Sequence, residues 1–88
     1  MTYRVRLSIE AKTFYATTNQ ATAKKIARCL QQLEQNPYQH PKIKQLKGKL
    51  MGYYRYRIGD YRVIYLIDEK ENQVLVNTIA HRSEVYKS

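Results

Sequence analysis

The chain is poor in several features on which whole classes of protein depend. One cysteine, Cys29, among 88 residues leaves no intramolecular disulfide to form, which suits a reducing compartment. Paired cysteines, an H-x-x-x-H motif and an inward carboxylate cluster are all missing, so no metal and no cofactor is expected. Three glycines and two prolines punctuate the pattern, without a glycine-rich phosphate loop, an internal repeat or a low-complexity tract. Long apolar runs are absent too. In "MTYRVRLSIE" charge interrupts every short apolar stretch, so neither a signal peptide nor a membrane span is expected, and the reading is cytoplasmic. Acidic residues are scarce: seven Asp and Glu stand against sixteen Lys and Arg, a formal net charge of +9. On so small a body that charge attracts polyanions, whether nucleic acid, an anionic surface or an acidic protein.

What remains is enough for one domain, residues 1–88, with a single hydrophobic core. Tyr3, Val5 and Leu7 alternate with Arg4 and Arg6, as in a half-buried strand over 3–8. Ser8 can cap a short helix through "IEAKTFYATT", which the turn-prone residues 17–19 interrupt. A second helix carries Ala23, Ile26, Ala27, Leu30 and Leu33 at three- and four-residue steps and stops at Asn36, ahead of Pro37. In this pattern Cys29 reads as a small buried residue rather than a nucleophile. Residues 37–49 form a basic connector whose Lys42, Lys44, Lys47 and Lys49 fit either a solvated loop or contacts to RNA phosphates. Strands are expected at about 50–58, 61–67 and 73–79, followed by a short C-terminal helical turn. The fold class is α+β: β-α-α-β-β-β with an antiparallel sheet covered on one face by a helical hairpin.

The pair Gly59-Asp60 is a two-residue hairpin signal that suits a type II′ turn. Counting outward, Ile58 opposes Tyr61, Arg57 opposes Arg62, Tyr56 opposes Val63, Arg55 opposes Ile64 and Tyr54 opposes Tyr65. The tyrosines, Ile58 and Val63 then share the face that the helices cover. Arg55, Arg57, Arg62 and Ile64 share the other. Opposed arginines repel, so this arrangement costs stability unless an anion lies between them. Further along, His81, Arg82 and Tyr86 follow the last strand, with Arg82 and Tyr86 four residues apart and able to share one side of a helical turn. Guanidinium groups grip phosphate in a bidentate fork, and tyrosine can stack on a base or exchange a proton.

The order "NP", "KIKQLKGK", "RYRIGDYRVIYLI" and "IAHRSEVY" resembles toxins of the RelE/ParE superfamily from bacterial toxin-antitoxin systems, over nearly the whole chain. The resemblance to the RelE branch implies a metal-independent endoribonuclease that cleaves messenger RNA in the ribosomal A site. The ribosome, mRNA and a cognate antitoxin would be its partners. It implies catalytic positions at Arg55, Arg57, Arg62, Arg82 and Tyr86. The 2′-OH would attack the adjacent phosphorus, leaving 2′,3′-cyclic phosphate and 5′-OH ends. Relatives often carry lysine where this chain has Arg55 and Arg57. Arginine stays protonated and cannot act as a base, so proton transfer falls to Tyr86, His81 or the ribosome. The alternatives are a ParE-like poison of DNA gyrase and a non-enzymatic RNA-binding module.

Overall fold

The computed structural model describes residues 2–85. Strand β1 (Arg4–Leu7) leads into α1 (Ile9–Thr17) and α2 (Gln20–Gln35), then β2 (Ile43–Gln45), a 3-10 turn (Gly48–Leu50), β3 (Tyr54–Ile58), β4 (Tyr61–Asp68), β5 (Gln73–His81) and the short α3 (Arg82–Val85). The five strands form one sheet in the order β1-β5-β4-β3-β2. Strands β2 to β5 pair antiparallel, but β1 runs parallel to β5, so the sheet is mixed rather than wholly antiparallel.

Local chemistry sets the helix ends. Ser8 Oγ accepts from the Ala11 amide at 3.0 Å while donating to the Asn77 carbonyl at 2.7 Å, so one hydroxyl starts α1 and fastens it to β5. Asn19 caps α2 through the Thr22 amide. From α2, Ile26, Cys29 and Leu33 enter the core against Tyr56, Val63, Tyr65, Val74 and Val76. Burial pushes the Cys29 thiol well above its ordinary pKa, which makes it a poor nucleophile. The buried Tyr65 hydroxyl donates to the Pro37 carbonyl at 2.7 Å and ties the end of α2 to the sheet.

Two departures from the sequence reading matter for the site. The connector 37–49 contains an edge strand, β2, and part of a 3-10 turn, so the chain before β3 is ordered on the sheet and β3 begins at Tyr54. A bulge also lies between β4 and β5: Ile64 opposes Thr78 and Tyr65 opposes Val76, leaving Asn77 as the extra residue. Beyond the bulge the alternation of β5 reverses, and Ile79 joins the helix-covered core.

Candidate active site

The β3-β4 register is the one expected from the turn, with Arg57 opposite Arg62 and Arg55 opposite Ile64. Gly59 has φ of 55°, and Asp60 is not among the positive-φ residues, as a type II′ turn requires. Lys44 of β2 stands opposite Arg55, a second like-charged pair in the adjoining ladder. All four cations therefore lie on the face opposite the α1-α2 hairpin. The parallel β1-β5 register adds Arg6, opposite Leu75, and Arg4, opposite Gln73. Alternation in "YRVRL" had placed Arg4 and Arg6 away from the core. Only the pairing of β1 with β5 brings them onto the same face as Arg55.

Two of these arginines are held by main-chain carbonyls rather than carboxylates. Arg55 Nη1 donates to the Lys42 carbonyl at 2.7 Å, and that oxygen also accepts the Arg57 amide at 2.9 Å. Arg62 Nη1 donates to the carbonyls of Gly59 at 2.8 Å and Tyr61 at 2.9 Å. Its Nε is buried without a partner among the described residues. The exposed Arg57 side chain makes no hydrogen bond within those residues. Arg55 and Arg62 are thus aimed without being neutralised, a state suited to an incoming anion.

The floor beside them is apolar. Ile64 is buried and lines a groove of about 330 Å³ with Leu50, Ala80 and Val85, bordered by Glu10 and Glu84. Glu10 accepts from the Thr78 hydroxyl at 3.1 Å. Helices α1 and α3 both pack on β5, and each brings one of these carboxylates to the groove. Distance along the chain had hidden both. Among the described residues no group of three or more His, Cys, Asp or Glu could hold a metal ion.

The C-terminal candidates divide. Arg82 is drawn to the hairpin turn: its amide donates to the Asp60 carbonyl at 2.7 Å, and Nε stands 4.0 Å from Asp60 Oδ1, with both side chains mostly exposed. His81 pairs with Tyr61 on the helix-covered side and meets its ring edge-on at 5.6 Å. Its Nδ1 accepts the Ser83 amide at 3.2 Å, so the ring helps to start α3 and is not gathered with the guanidiniums. Tyr86 lies outside the described residues. Of the connector lysines, Lys44 joins the arginine face. Lys42 lines a depression with Tyr56 on the opposite side. Lys47 and Lys49 are exposed around the 3-10 turn.

An open sheet face lined by guanidiniums and backed by a helical hairpin defines a small basic α+β protein with one cationic face. The sequence profile described as "ParE toxin of type II toxin-antitoxin system, parDE" matches residues 6–86, and the chain belongs to this toxin family. Its fold is similar to that of the toxin-antitoxin complex RelBE2 from Mycobacterium tuberculosis, at TM-score 0.80 and 24% identity over 93% of this chain and 100% of that one. The archaeal RelE-RelB complex from Pyrococcus horikoshii gives 0.79 at 29% identity, covering 93% and 97%. The YoeB-YefM toxin-antitoxin complex from Staphylococcus aureus gives 0.74 at 23%, covering 92% and 98%. No curated protein sequence matches.

Proposed function

We propose that this toxin is a metal-independent endoribonuclease that cleaves messenger RNA in the ribosomal A site. The observation that carries the reading is Arg57 opposed to Arg62, with Arg55 beside them and none of the three within 4.0 Å of a carboxylate among the described residues. Like charges placed opposite each other destabilise a hairpin, and a scissile phosphate relieves that repulsion. As the ribose 2′-OH attacks, negative charge builds on the phosphorane oxygens, where fixed guanidiniums stabilise it more than they stabilise the ground state. Arg55 and Arg62, held by carbonyls, supply pre-aimed donors; Arg57 is free to follow the reacting phosphate. Arg82, brought to the same end of the hairpin through Asp60, contributes positive charge. Tyr86 supplies a base-stacking ring or a proton. Lys44, Lys47 and Lys49 contact RNA outside the scissile step. The products are a 2′,3′-cyclic phosphate and a 5′-OH.

A cognate antitoxin neutralises the protein in this reading. The RelBE2, RelE-RelB and YoeB-YefM structures are complexes of that kind, and a +9 chain favours rapid capture by an acidic partner. A second reading is a gyrase poison, favoured by the match to the ParE profile. Primer extension on a translated message separates the two. A-site cuts support the endoribonuclease, whereas intact message with gyrase trapped on DNA overturns it in favour of the poison. Intact message with free gyrase leaves an RNA-binding module.

A further inference from the structure

A second cluster of cations lies on the opposite side of β3 from the arginine face. Lys25 and Arg28, three residues apart on α2, meet Lys42 of the connector around a depression of about 230 Å³. Its floor is Tyr56, Ile58 and the Gly59 turn, and among the described residues no carboxylate lines it. The three cations come from two separate elements, so helix periodicity alone does not explain their convergence.

Lys42 is firmly placed. Its amide donates to His40 Nδ1 at 3.1 Å, its carbonyl receives Arg55 and Arg57, and the His40 ring stacks on Tyr56 at 5.2 Å between centroids. One residue thereby supports the arginine face with its main chain and the second cluster with its side chain. The Tyr56 hydroxyl makes no hydrogen bond among the described residues.

We infer that Lys25, Arg28 and Lys42 form a second phosphate-binding pocket, which takes the backbone of a folded RNA rather than the strand being cut. This rests on the proposed function above. A single strand on the open face has the thickness of the sheet between it and this pocket. Cations on both sides of β3 fit a partner that surrounds the hairpin edge, as the walls of a folded RNA do. A folded RNA presents phosphates on several strands at once, and three cations with no carboxylate beside them among the described residues match that arrangement.

The test uses the intact protein and a short RNA duplex. In an amide chemical-shift titration, the duplex should perturb Lys25, Arg28, Lys42 and Gly59. Replacing the three cations together (K25Q, R28Q and K42Q) should flatten the plot of log affinity against log salt by about 2.7, since each phosphate neutralised contributes about 0.9 to the slope. A variant with Lys25→Arg and Lys42→Arg should keep the wild-type slope. Shifts confined to the arginine face, or an unchanged slope in the triple variant, overturn the pocket. So does an unchanged RNA slope accompanied by lost binding of an acidic antitoxin, which would assign the cations to a protein. Duplex binding at the pocket without cleavage of translated message would leave the pocket standing and remove the endoribonuclease.

Discussion

Replacing Arg62 with glutamine should separate the chemistry of the open face from its stability. On the stabilising side, the change removes the repulsion from Arg57, on the order of 0.2–1 kcal/mol for a cross-strand pair. It also removes the buried Nε that has no partner among the described residues, which relieves part of a penalty of about 1–3 kcal/mol. Against this, the Gly59 and Tyr61 carbonyls lose a charged donor, and hydrogen bonds to charged groups contribute about 1.5–3 kcal/mol. Gly59 is exposed and its carbonyl rehydrates, so the loss lies toward the low end. The sum falls within about 1.5 kcal/mol of zero, a melting shift of at most about 12 °C for a domain of this size. Losing one pre-aimed donor to a transition-state oxyanion, by contrast, costs about 100- to 1000-fold in rate. Single-turnover cleavage of a translated message, followed by primer extension, should therefore fall by that factor while circular dichroism reports a folded protein. Cleavage within threefold of wild type would refute the assignment. Destabilisation beyond about 3 kcal/mol, with activity tracking the folded fraction, would make Arg62 a structural residue.

Other perturbations have equally definite expected outcomes. Tyr65→Phe removes the buried donor to Pro37 and should cost about 1–3 kcal/mol in urea denaturation, with the slope unchanged. Glu69 accepts the hydroxyls of Tyr38 and Tyr3, bonds that hold its carboxyl below the usual 4.5 against an opposing contribution from burial. A depressed folded pKa gives stability that is present above 4.5 and lost as pH falls through the lower folded value. Wild type should thus lose more stability than Glu69→Gln between pH 6 and pH 3, and equal losses would refute the linkage. Tyr86→Phe keeps the ring and removes the hydroxyl. Slow cleavage in Tyr86→Phe assigns proton transfer, slow cleavage in Tyr86→Ala alone assigns stacking, and wild-type rates in both remove Tyr86 from the mechanism.

The central hairpin was legible because a two-residue turn fixes register: once Gly59-Asp60 is the loop, every opposing pair from Ile58 and Tyr61 outward follows by counting. Other parts depend on information that alternation does not carry. The pattern Tyr3-Val5-Leu7 specifies a buried face but not a neighbour, and only the fold shows that β1 lies parallel to β5 and brings Arg4 and Arg6 onto the open face. Strand β2 is three residues at a sheet edge, with exposed Lys44 and Gln45, too short and too polar to give a period-two signal. The carboxylates of Glu10 and Glu84 meet at one groove, a proximity that no sequence spacing reports.

His81 shows how one inserted residue redistributes a candidate site. Strict alternation from Val74 and Val76 would put His81 on the face opposite those core residues, together with the arginines. The extra Asn77 reverses the phase, so His81 follows Ile79 to the helix-covered side and meets Tyr61. The same reversal puts Ala80, rather than a larger neighbour in the strand, opposite Arg62 on the open face. The bulge therefore moves an imidazole away from the guanidiniums and sets the small Ala80 opposite Arg62. Since Ser8 holds the Asn77 carbonyl while capping α1, the start of the first helix also fixes the phase of β5 on which the pairing of Ala80 with Arg62 depends.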